Sequence, residues 1–413
     1  MYNLPMRILL LNLYFPPDTS ATAKSADSIV RALAQTHEVT VICGRPSYDP
    51  TERRPWKLWQ TEHFNNTSSA PGAFTVIRVG STDYPRIQMK RRILNYLTYS
   101  KLASLRALFL PCDVIFAMTD PPFNGISAAI VAALKRKPLI YDIQDLYPDM
   151  AIAGSIVGPG LLPRIWERLH RWALRRAAQI IALGEDMRAR LIAKGIGPLK
   201  ISIVRSGAEI LPSSSPAPTL NSHVIKTIRG NFRFVLLHAG NLGFYGAWDT
   251  IIAAARELQS ENIGVVFVGD GAELARLQSL AAGLTNVRFL PFFPSSDIPS
   301  VLAAPDAHIV TIKRGLEGVV VPSKMFGILA AGKPSVAVAS SETDLATLGA
   351  KFGFAITADP SNPGHLASTI RELASDPARL AALGQAATDA AAKFTREDQL
   401  GKLVALISKF PHT

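Results

Sequence analysis

The segment from Val320 to Pro334 has the residue types of a phosphate-binding helix start. Ser323 and Lys324 follow a short turn and open an apolar run that Gly332 ends. A helix that begins with Ser-Lys would present unpaired backbone N–H groups, a hydroxyl and an ammonium at its positive end, which suits a phosphate. An ordinary turn with a solvated lysine is the alternative that this segment leaves open.

Two glycine-containing turns follow predicted strands upstream of this segment. They are Gly240-Asn241-Leu242-Gly243 and Gly269-Asp270-Gly271. Because glycine has no side chain, the backbone of such a turn can approach a diphosphate closely. The glycine spacing fits neither a dinucleotide-binding fingerprint nor a Walker motif, so tight turns without a ligand remain the alternative.

Three carboxylates lie close together in the first half of the chain, where Asp142, Asp145 and Asp149 follow a predicted strand. Asp142 and Asp145 could face a binding cleft, and three close carboxylates could also hold a divalent cation. Loop capping and turn formation are the third interpretation, because aspartates commonly serve there. The eight histidines show no zinc-ligand spacing, which disfavours a zinc site.

Apolar strands alternate with helical patterns along most of the 413 residues. This alternation predicts parallel sheets covered on both faces, and the length predicts two or three domains. We therefore predict an α/β fold of two doubly wound domains that face each other across a cleft, with ligands outside the carboxyl ends of the strands. The predicted segments are an N-terminal domain (1–210), a linker (211–230), a C-terminal domain (231–392) and a terminal helix (393–413).

The composition is that of a well-buried globular protein, with 48% hydrophobic and 18% charged residues. Cys43 and Cys112 cannot build a disulfide framework, which favours a reducing compartment. No apolar run reaches the roughly 18 residues that a membrane span needs. The start of the sequence lacks the pattern of a signal peptide. These features predict a cytoplasmic protein.

The net charge of +12 leaves three kinds of anionic partner open, namely nucleic acid, an anionic membrane face and phosphorylated small molecules. Residues 84–110 contain six basic residues and no acidic one, and Lys90, Arg91 and Arg92 are among the six. Leucines at helical spacing between them predict a basic amphipathic helix on a lipid surface, and residues 164–176 repeat the pattern. Surface helices with apolar faces in the core are the alternative. Base-stacking aromatics are missing, which disfavours nucleic acid.

Five motifs, taken in order, resemble the retaining nucleotide-sugar glycosyltransferases of family four. The chain looks most like the bacterial branch that builds O-antigen and exopolysaccharide, the L-fucosamine-transferase type, and the similarity covers nearly its whole length. The motifs are Tyr14-Phe15-Pro16-Pro17-Asp18 with Ser20-Ala21-Thr22, Asp142-x-x-Asp145-Leu146-Tyr147-Pro148, residues 239–243, residues 268–271, and Pro322-Ser323-Lys324 through Pro334. The resemblance implies the two-domain GT-B fold, with the acceptor in the first domain and the nucleotide sugar in the second. It also implies that the terminal helix crosses back onto the first domain.

The resemblance assigns roles to particular positions. It places Asp142, Asp145, Glu317 and Lys324 in catalytic positions. The donor-binding positions that it implies are Ser20, Ala21, Thr22, Gly240, Asn241, Leu242, Phe292, Lys313, Arg314, Val321, Pro322, Ser323 and Gly327. The family's pair of glutamates is altered, because the first falls at Val319, two residues from Glu317, and the second falls at Gly327.

The implied reaction moves a sugar, an N-acetylated or 6-deoxy hexosamine, from a UDP-linked donor to a lipid-linked glycan or other saccharide. It uses no cofactor and no metal, because helix N-termini and cations stabilise the leaving diphosphate. The implied partners are the nucleotide sugar, the lipid-linked acceptor and the inner face of the cell membrane, to which the protein would bind peripherally. A sugar-nucleotide epimerase on the same fold and a non-catalytic protein that binds nucleotide sugar or lipid diphosphate are the alternatives.

Overall fold

The computed structural model describes residues 5–47, 55–64, 72–85, 88, 91–158, 160–210 and 219–410. The chain divides into two compact units, each with its own sheet. Unit 1 comprises Met1–Gly184, Arg188–Arg205 and Gln399–Thr413, and unit 2 comprises Glu185–Met187 and Ser206–Asp398. The prediction of two doubly wound domains is confirmed.

Unit 1 is built on an eight-stranded sheet. Its strands are β1 (Arg7–Leu11), β2 (Glu38–Cys43), β3 (Trp59–Phe64), β4 (Phe74–Val79), β5 (Val114–Met118), β6 (Leu139–Asp142), β7 (Gln179–Ala182) and β8 (Ile201–Ile203). Their order in the sheet is β3-β4-β2-β1-β5-β6-β7-β8. The strand order reverses between β1 and β5, so the loops that follow these two strands border the position where doubly wound sheets bind ligands.

The edge strand β3 departs from the sequence prediction, which contained parallel strands only and none at this position. β3 pairs antiparallel with β4, and its side chains are half-buried or exposed. Its sequence, Trp-Gln-Thr-Glu-His-Phe, has too few apolar residues to predict a buried strand. An edge strand with one wet face needs few of them.

The helices of the first half are α1 (Ala21–Leu33), α2 (Arg92–Phe109), α3 (Asn124–Lys135), α4 (Asp149–Ala153), α5 (Leu161–Arg176) and α6 (Glu185–Ala193). The last helix of the chain, α15 (Arg396–Ile407), also contributes to unit 1 from Gln399 onward. Its Leu403 and Ile407 are buried in the same apolar core as Leu10 and Val41. The Ser408 hydroxyl lies 3.0 Å from Nε2 of His37.

Unit 2 contains a six-stranded parallel sheet. Its strands are β9 (Phe234–Ala239), β10 (Ile263–Val268), β11 (Val287–Leu290), β12 (Ala307–Thr311), β13 (Ser335–Val338) and β14 (Ala355–Ala358). The order β11-β10-β9-β12-β13-β14 is that of a dinucleotide-binding fold, with the reversal between β9 and β12. The loops after β9 and β12 therefore meet at the ligand-binding edge of this sheet.

The helices of unit 2 cover both faces of this sheet. They are α7 (Ser222–Arg229), α8 (Trp248–Glu257), α9 (Leu274–Leu280), α10 (Ile298–Ala303), α11 (Lys324–Ala330), α12 (Asp344–Phe352), α13 (Pro363–Ser375) and α14 (Pro377–Lys393). Helix α7 lies within the predicted linker, and its Val224 and Ile228 are buried against the sheet. Residues 211–218 of that predicted linker lie outside the described residues.

Candidate active site

The side chain of Lys324 enters the site at the strand-order reversal of unit 2. Lys324 is the first residue of α11, and its ammonium nitrogen lies 3.0 Å from Nε2 of His238 on β9. Burial lowers the pKa of Lys324 to about 7. A lysine with this pKa gains charge when an anion binds beside it, because the anion favours the ammonium form.

The backbone at the start of α11 corrects one sequence-based expectation. The N–H groups of Ser323, Met325 and Phe326 are not free, since they donate to the carbonyl oxygens of Val321, Pro322 and Ser323 at 2.9–3.2 Å. Ser323 is exposed, and its hydroxyl makes no capping hydrogen bond. Because α11 has seven residues and satisfies these donors locally, the positive charge at this site comes from the Lys324 side chain.

Glycine at position 240 makes room for the Lys324 ammonium. A Cβ atom built on Gly240 would lie 2.9 Å from Nζ of Lys324, closer than unstrained atoms approach. Gly240 also has φ +139°, a backbone conformation that other residues rarely adopt. Glycine at position 240 therefore avoids backbone strain and leaves the Lys324 ammonium where it lies.

The glycine turn at residues 269–271 packs directly against the turn at residues 240–243. A Cβ atom on Gly269 would lie 2.0 Å from the carbonyl oxygen of Gly240, and one on Gly271 would lie 2.3 Å from that of Leu242. The Leu242 N–H donates to the carbonyl oxygen of Asp270 at 2.9 Å. Leu242 is fully buried, so it acts by holding the turn, whereas Asn241 is exposed at its tip.

Three predicted site residues of unit 2 have other partners in this structure. The guanidinium of Arg314 forms an exposed ion pair with Asp359 at 2.9 Å. The Glu317 carboxylate accepts a hydrogen bond from the Ser340 hydroxyl at 2.6 Å. The Lys313 backbone N–H donates to the carbonyl oxygen of Tyr245 at 2.6 Å, and its side chain is exposed.

The altered glutamate positions differ in their surroundings. Val319 is fully buried, so the position of the first glutamate is part of the core. At Gly327 a Cβ atom would meet only the Leu302 side chain, at 3.8 Å, so the glycine there leaves open space. Phe292, in the loop after β11, has an aromatic ring that is 52% exposed.

In unit 1 the three carboxylates after β6 have three different environments. Asp142 is buried and accepts a hydrogen bond from the Gln144 amide at 2.7 Å. Asp149 forms ion pairs with Arg190 and Lys194, which makes it a structural residue. Asp145 is partly exposed, and no described residue donates a hydrogen bond to its carboxylate. Of the three carboxylates, Asp142 and Asp149 thus have partners within unit 1, and Asp145 is the one without a hydrogen-bond donor among the described residues.

Asp120 is a candidate site residue that the sequence did not single out. It follows β5 after one intervening residue, Thr119, at the strand-order reversal of unit 1, and the Thr22 side chain is its neighbour. Burial raises the pKa of Asp120, and burial together with the Asp120 charge raises that of Asp145 to about 7. An aspartate two residues beyond an apolar strand and before Pro121 was the available sequence signal.

The loop between β1 and α1 contributes to the same site. Ser20 caps α1, because its hydroxyl accepts a hydrogen bond from the Ala23 N–H at 3.1 Å, and it lies 3.2 Å from the Thr22 hydroxyl. Ala21 is exposed beside them. Ser20 thereby orients the Thr22 side chain, which neighbours Asp120.

Arg92, which the sequence predicted at a membrane or acceptor surface, is partly exposed and has partners within unit 1. Its guanidinium donates to the Tyr14 hydroxyl and lies 5.6 Å from the centre of the Tyr96 ring. It also interacts electrostatically with the Asp120 carboxylate. Arg91 is exposed at the start of α2 and lies over the Tyr84 ring. Lys90, with Arg86 of the same predicted basic helix, lies outside the described residues.

Three neighbouring helices of unit 1 expose apolar side chains to solvent. We call this set the apolar surface: Ile93, Leu94, Leu97, Leu105 and Phe109 on α2, Ile130 and Leu134 on α3, and Leu161, Leu162, Ile165, Leu169 and Trp172 on α5. The buried stripe of α2 consists instead of Asn95, Tyr99, Ala103 and Ala107. The alternative that these apolar faces lie in the core is therefore wrong for α2.

The part of the chain that the structure describes offers neither a cluster of metal ligands nor a membrane-spanning helix. Within the described ranges, no three His, Cys, Asp or Glu side chains are grouped so that they could hold a metal ion. The helices found there also lack the length and hydropathy required to cross a bilayer.

Comparison with known proteins identifies the two units. Residues 20–207 match the glycosyl transferase 4-like domain, and residues 226–390 match the glycosyl transferases group 1. The chain is a GT-B glycosyltransferase. A protein named as a colanic acid biosynthesis glycosyl transferase, WcaI of Escherichia coli K12, is 25% identical over 383 residues, which cover 89% of this chain and 92% of WcaI.

Solved structures of GT-B glycosyltransferases share the fold. HepE from Anabaena, crystallised with UDP-glucose, matches with a TM-score of 0.66 and 17% identity over 98% of this chain and 99% of HepE. WaaG, a glycosyltransferase involved in lipopolysaccharide biosynthesis, matches with a TM-score of 0.62 and 16% identity over 98% of this chain and 100% of WaaG.

Proposed function

We propose that this glycosyltransferase moves a hexosyl or hexosaminyl group from a UDP-linked donor to a lipid-linked saccharide in bacterial surface polysaccharide synthesis. The observation that carries the proposal is the Lys324 ammonium beside the Gly240 turn, at the strand-order reversal of unit 2. The WcaI relative and the UDP-glucose complex of HepE support the choice of pathway and donor.

In the proposed reaction, Lys324 stabilises the diphosphate while the bond to the sugar breaks. Negative charge develops on the leaving phosphate, and an ammonium already in place lowers the cost of that charge. The backbone of the Gly240 turn and the exposed Asn241 line the same edge of the sheet. Val321, Pro322 and Ser323 form the turn that sets the direction of α11 and hence of the lysine.

We assign the ion pair between Arg314 and Asp359 a secondary role in donor binding. Both side chains are exposed, so their pairing contributes little to stability and a phosphate could displace the aspartate. Phe292 has an exposed ring after β11, where the base of the donor would stack. The transfer retains configuration because the departing phosphate accepts the proton of the attacking hydroxyl on the same face, which requires no metal.

We assign acceptor binding to the site of unit 1 formed by Thr22, Asp120 and Asp145. Carboxylates accept hydrogen bonds from sugar hydroxyls, and Asp145 has no other donor among the described residues. The Tyr147 ring stacks on Trp166 at 5.8 Å, which places aromatic surface beside Asp145. A saccharide needs both kinds of contact, polar for its hydroxyls and apolar for its ring.

We assign the apolar surface to the membrane that carries the lipid-linked acceptor. Exposed arginines lie among its apolar residues, including Arg164, Arg168 and Arg175 on α5. An apolar face with basic flanks complements an anionic lipid surface. Burial of the apolar side chains and attraction of the basic ones contribute separately to the strength of membrane binding. The protein would then bind peripherally at the inner face of the cell membrane.

A donor panel tests the proposed function. The purified chain is incubated with radiolabelled UDP- and GDP-sugars and a polyprenyl-diphosphate saccharide, and the products are separated by partition and chromatography. Label in the lipid fraction supports the transferase, an isomerised donor indicates the epimerase, and binding without turnover indicates the non-catalytic protein. The exposed Lys351 provides a control, because Lys351→Ala should leave transfer intact.

A further inference from the structure

The imidazole of His238 holds the Lys324 ammonium at a fixed place. His238 lies on β9, two residues before the Gly240 turn, and is 1% exposed. Its Nε2 lies 3.0 Å from Nζ of Lys324, a residue 86 positions later in the chain. The contact thus joins the two segments that border the strand-order reversal of unit 2.

The other atoms of the ring are also fixed. Nδ1 lies 3.3 Å from the carbonyl oxygen of Ile309, and the ring packs edge-to-face on Trp248 with centroids 4.7 Å apart. A carbonyl oxygen can only accept, so Nδ1 carries the hydrogen and Nε2 is left with a free lone pair. That lone pair is the acceptor for one N–H of the Lys324 ammonium.

The ring stays neutral at physiological pH. Burial, and then the charge of Lys324, lower the pKa of His238 well below 6.5, while the backbone carbonyls of Ile309 and Asn241 oppose them. His308 on the neighbouring strand β12 is the other titratable group that acts on this pair, and burial lowers its pKa to about 4. Among the described residues, Lys324 and His308 are thus the titratable groups that act on the His238 ring.

We propose that His238 is a positioning residue for Lys324: its Nε2 takes one ammonium hydrogen and directs the other two toward the donor diphosphate. The inference rests on the proposed function, because it presumes that the ligand beside Lys324 bears a diphosphate. An unrestrained lysine has four rotatable bonds, and binding must fix them at an entropic cost. A lysine already held by His238 avoids part of that cost.

The test uses UDP and uridine as probes, with affinities measured by isothermal titration calorimetry. His238→Phe keeps a ring for Trp248 and removes the acceptor, whereas His238→Gln keeps an acceptor near the position of Nε2. Loss of a charge-assisted hydrogen bond predicts a UDP affinity about tenfold lower in His238→Phe. Uridine affinity should stay unchanged, because uridine has no phosphate, and His238→Gln should restore most of the UDP affinity.

A double-mutant cycle separates positioning from a general structural role. In a Lys324→Met background, His238→Phe should cause no further loss of UDP affinity, because the residue through which it acts is gone. Equal losses in both backgrounds, or a uridine affinity that falls with that of UDP, would overturn the inference. If His238→Phe does not fold by circular dichroism, His238→Leu takes its place in the cycle.

The proposed function and this inference can fail separately. If the wild-type chain binds neither UDP nor GDP, the proposed donor site is wrong and the inference falls with it. If UDP binds and Lys324→Met weakens it, but His238→Phe does not, the donor site stands and His238 is a packing residue only.

Discussion

The pKa of Lys324 makes a quantitative prediction about how donor binding depends on pH. With a pKa of about 7 in the free protein, the lysine is half-charged at pH 7, and roughly 1% is charged at pH 9, two units higher. If the ammonium form binds the diphosphate, the apparent affinity falls in proportion to that fraction, by about 50-fold between pH 7 and 9. The phosphates themselves are already ionised above pH 7. The loss of UDP affinity therefore reflects the deprotonation of Lys324.

The measurement is a calorimetric titration with UDP at half-unit steps from pH 7 to 9. Diphosphate binding raises the pKa of the Lys324 ammonium. The UDP affinity is therefore greatest below the pKa of the free protein and declines as the pH rises above it. In Lys324→Ala the affinity should be low and flat across this range. Transfer at pH 7 should be roughly 10²-fold slower in that variant, the usual loss when a main charge stabiliser is removed.

The control is Lys351→Ala, which removes an exposed lysine on α12 and should keep the full slope. A wild-type UDP affinity that changes less than twofold from pH 7 to 9 would refute the reasoning. So would a slope that survives in Lys324→Ala, because another group would then have to carry the charge.

Three further predictions concern other parts of the chain. Asp120→Asn keeps the shape of the unit 1 site but removes a charge, so the KM for the saccharide acceptor should rise about tenfold with the donor KM unchanged. Gly327→Ala should raise the free energy of unfolding in urea by about 0.5–1 kcal/mol, because a Cβ fits there and glycine is a poor helix former. Replacing Leu97 and Leu105 with Gln should weaken sedimentation with phosphatidylglycerol vesicles about 30-fold, since each leucine is about half exposed and can bury roughly 1 kcal/mol more.

Each of these has an outcome that would contradict it. For Asp120→Asn it is an unchanged acceptor KM, which would remove Asp120 from the acceptor site. For Gly327→Ala it is a lower stability, which would mean that the position has less room than the structure gives it. For the leucines, Leu199→Gln is the control, because Leu199 is 97% exposed and lies outside the apolar surface. An equal loss in that variant would argue against a defined membrane face.

The fold could be predicted from the sequence because it depends on a repeating local pattern. Runs such as residues 263–268 are buried from end to end, and the helices between them follow the apolar periodicity. Strand β3 was missed because one polar edge strand does not show that pattern. Lys324, Gly240 and Asp145 were also predicted as candidate site residues, since Lys324 starts a helix and the other two lie in loops after strands, each in a recognisable motif.

The partners of those residues were decided by the tertiary structure. Nothing in the local sequence brings His238 to Lys324, because the contact exists only when β9 and β12 lie side by side in the sheet. The same holds for Arg92, whose spacing on a helix predicted a lipid contact but whose guanidinium turns to Tyr14. Spacing along the chain determines which residues share a face of a helix or strand. Burial and hydrogen bonding across the sheet determine which neighbours that face contacts. Sequence therefore determined the elements that carry a strong apolar pattern, and packing between distant segments determined which side chains meet at their ends.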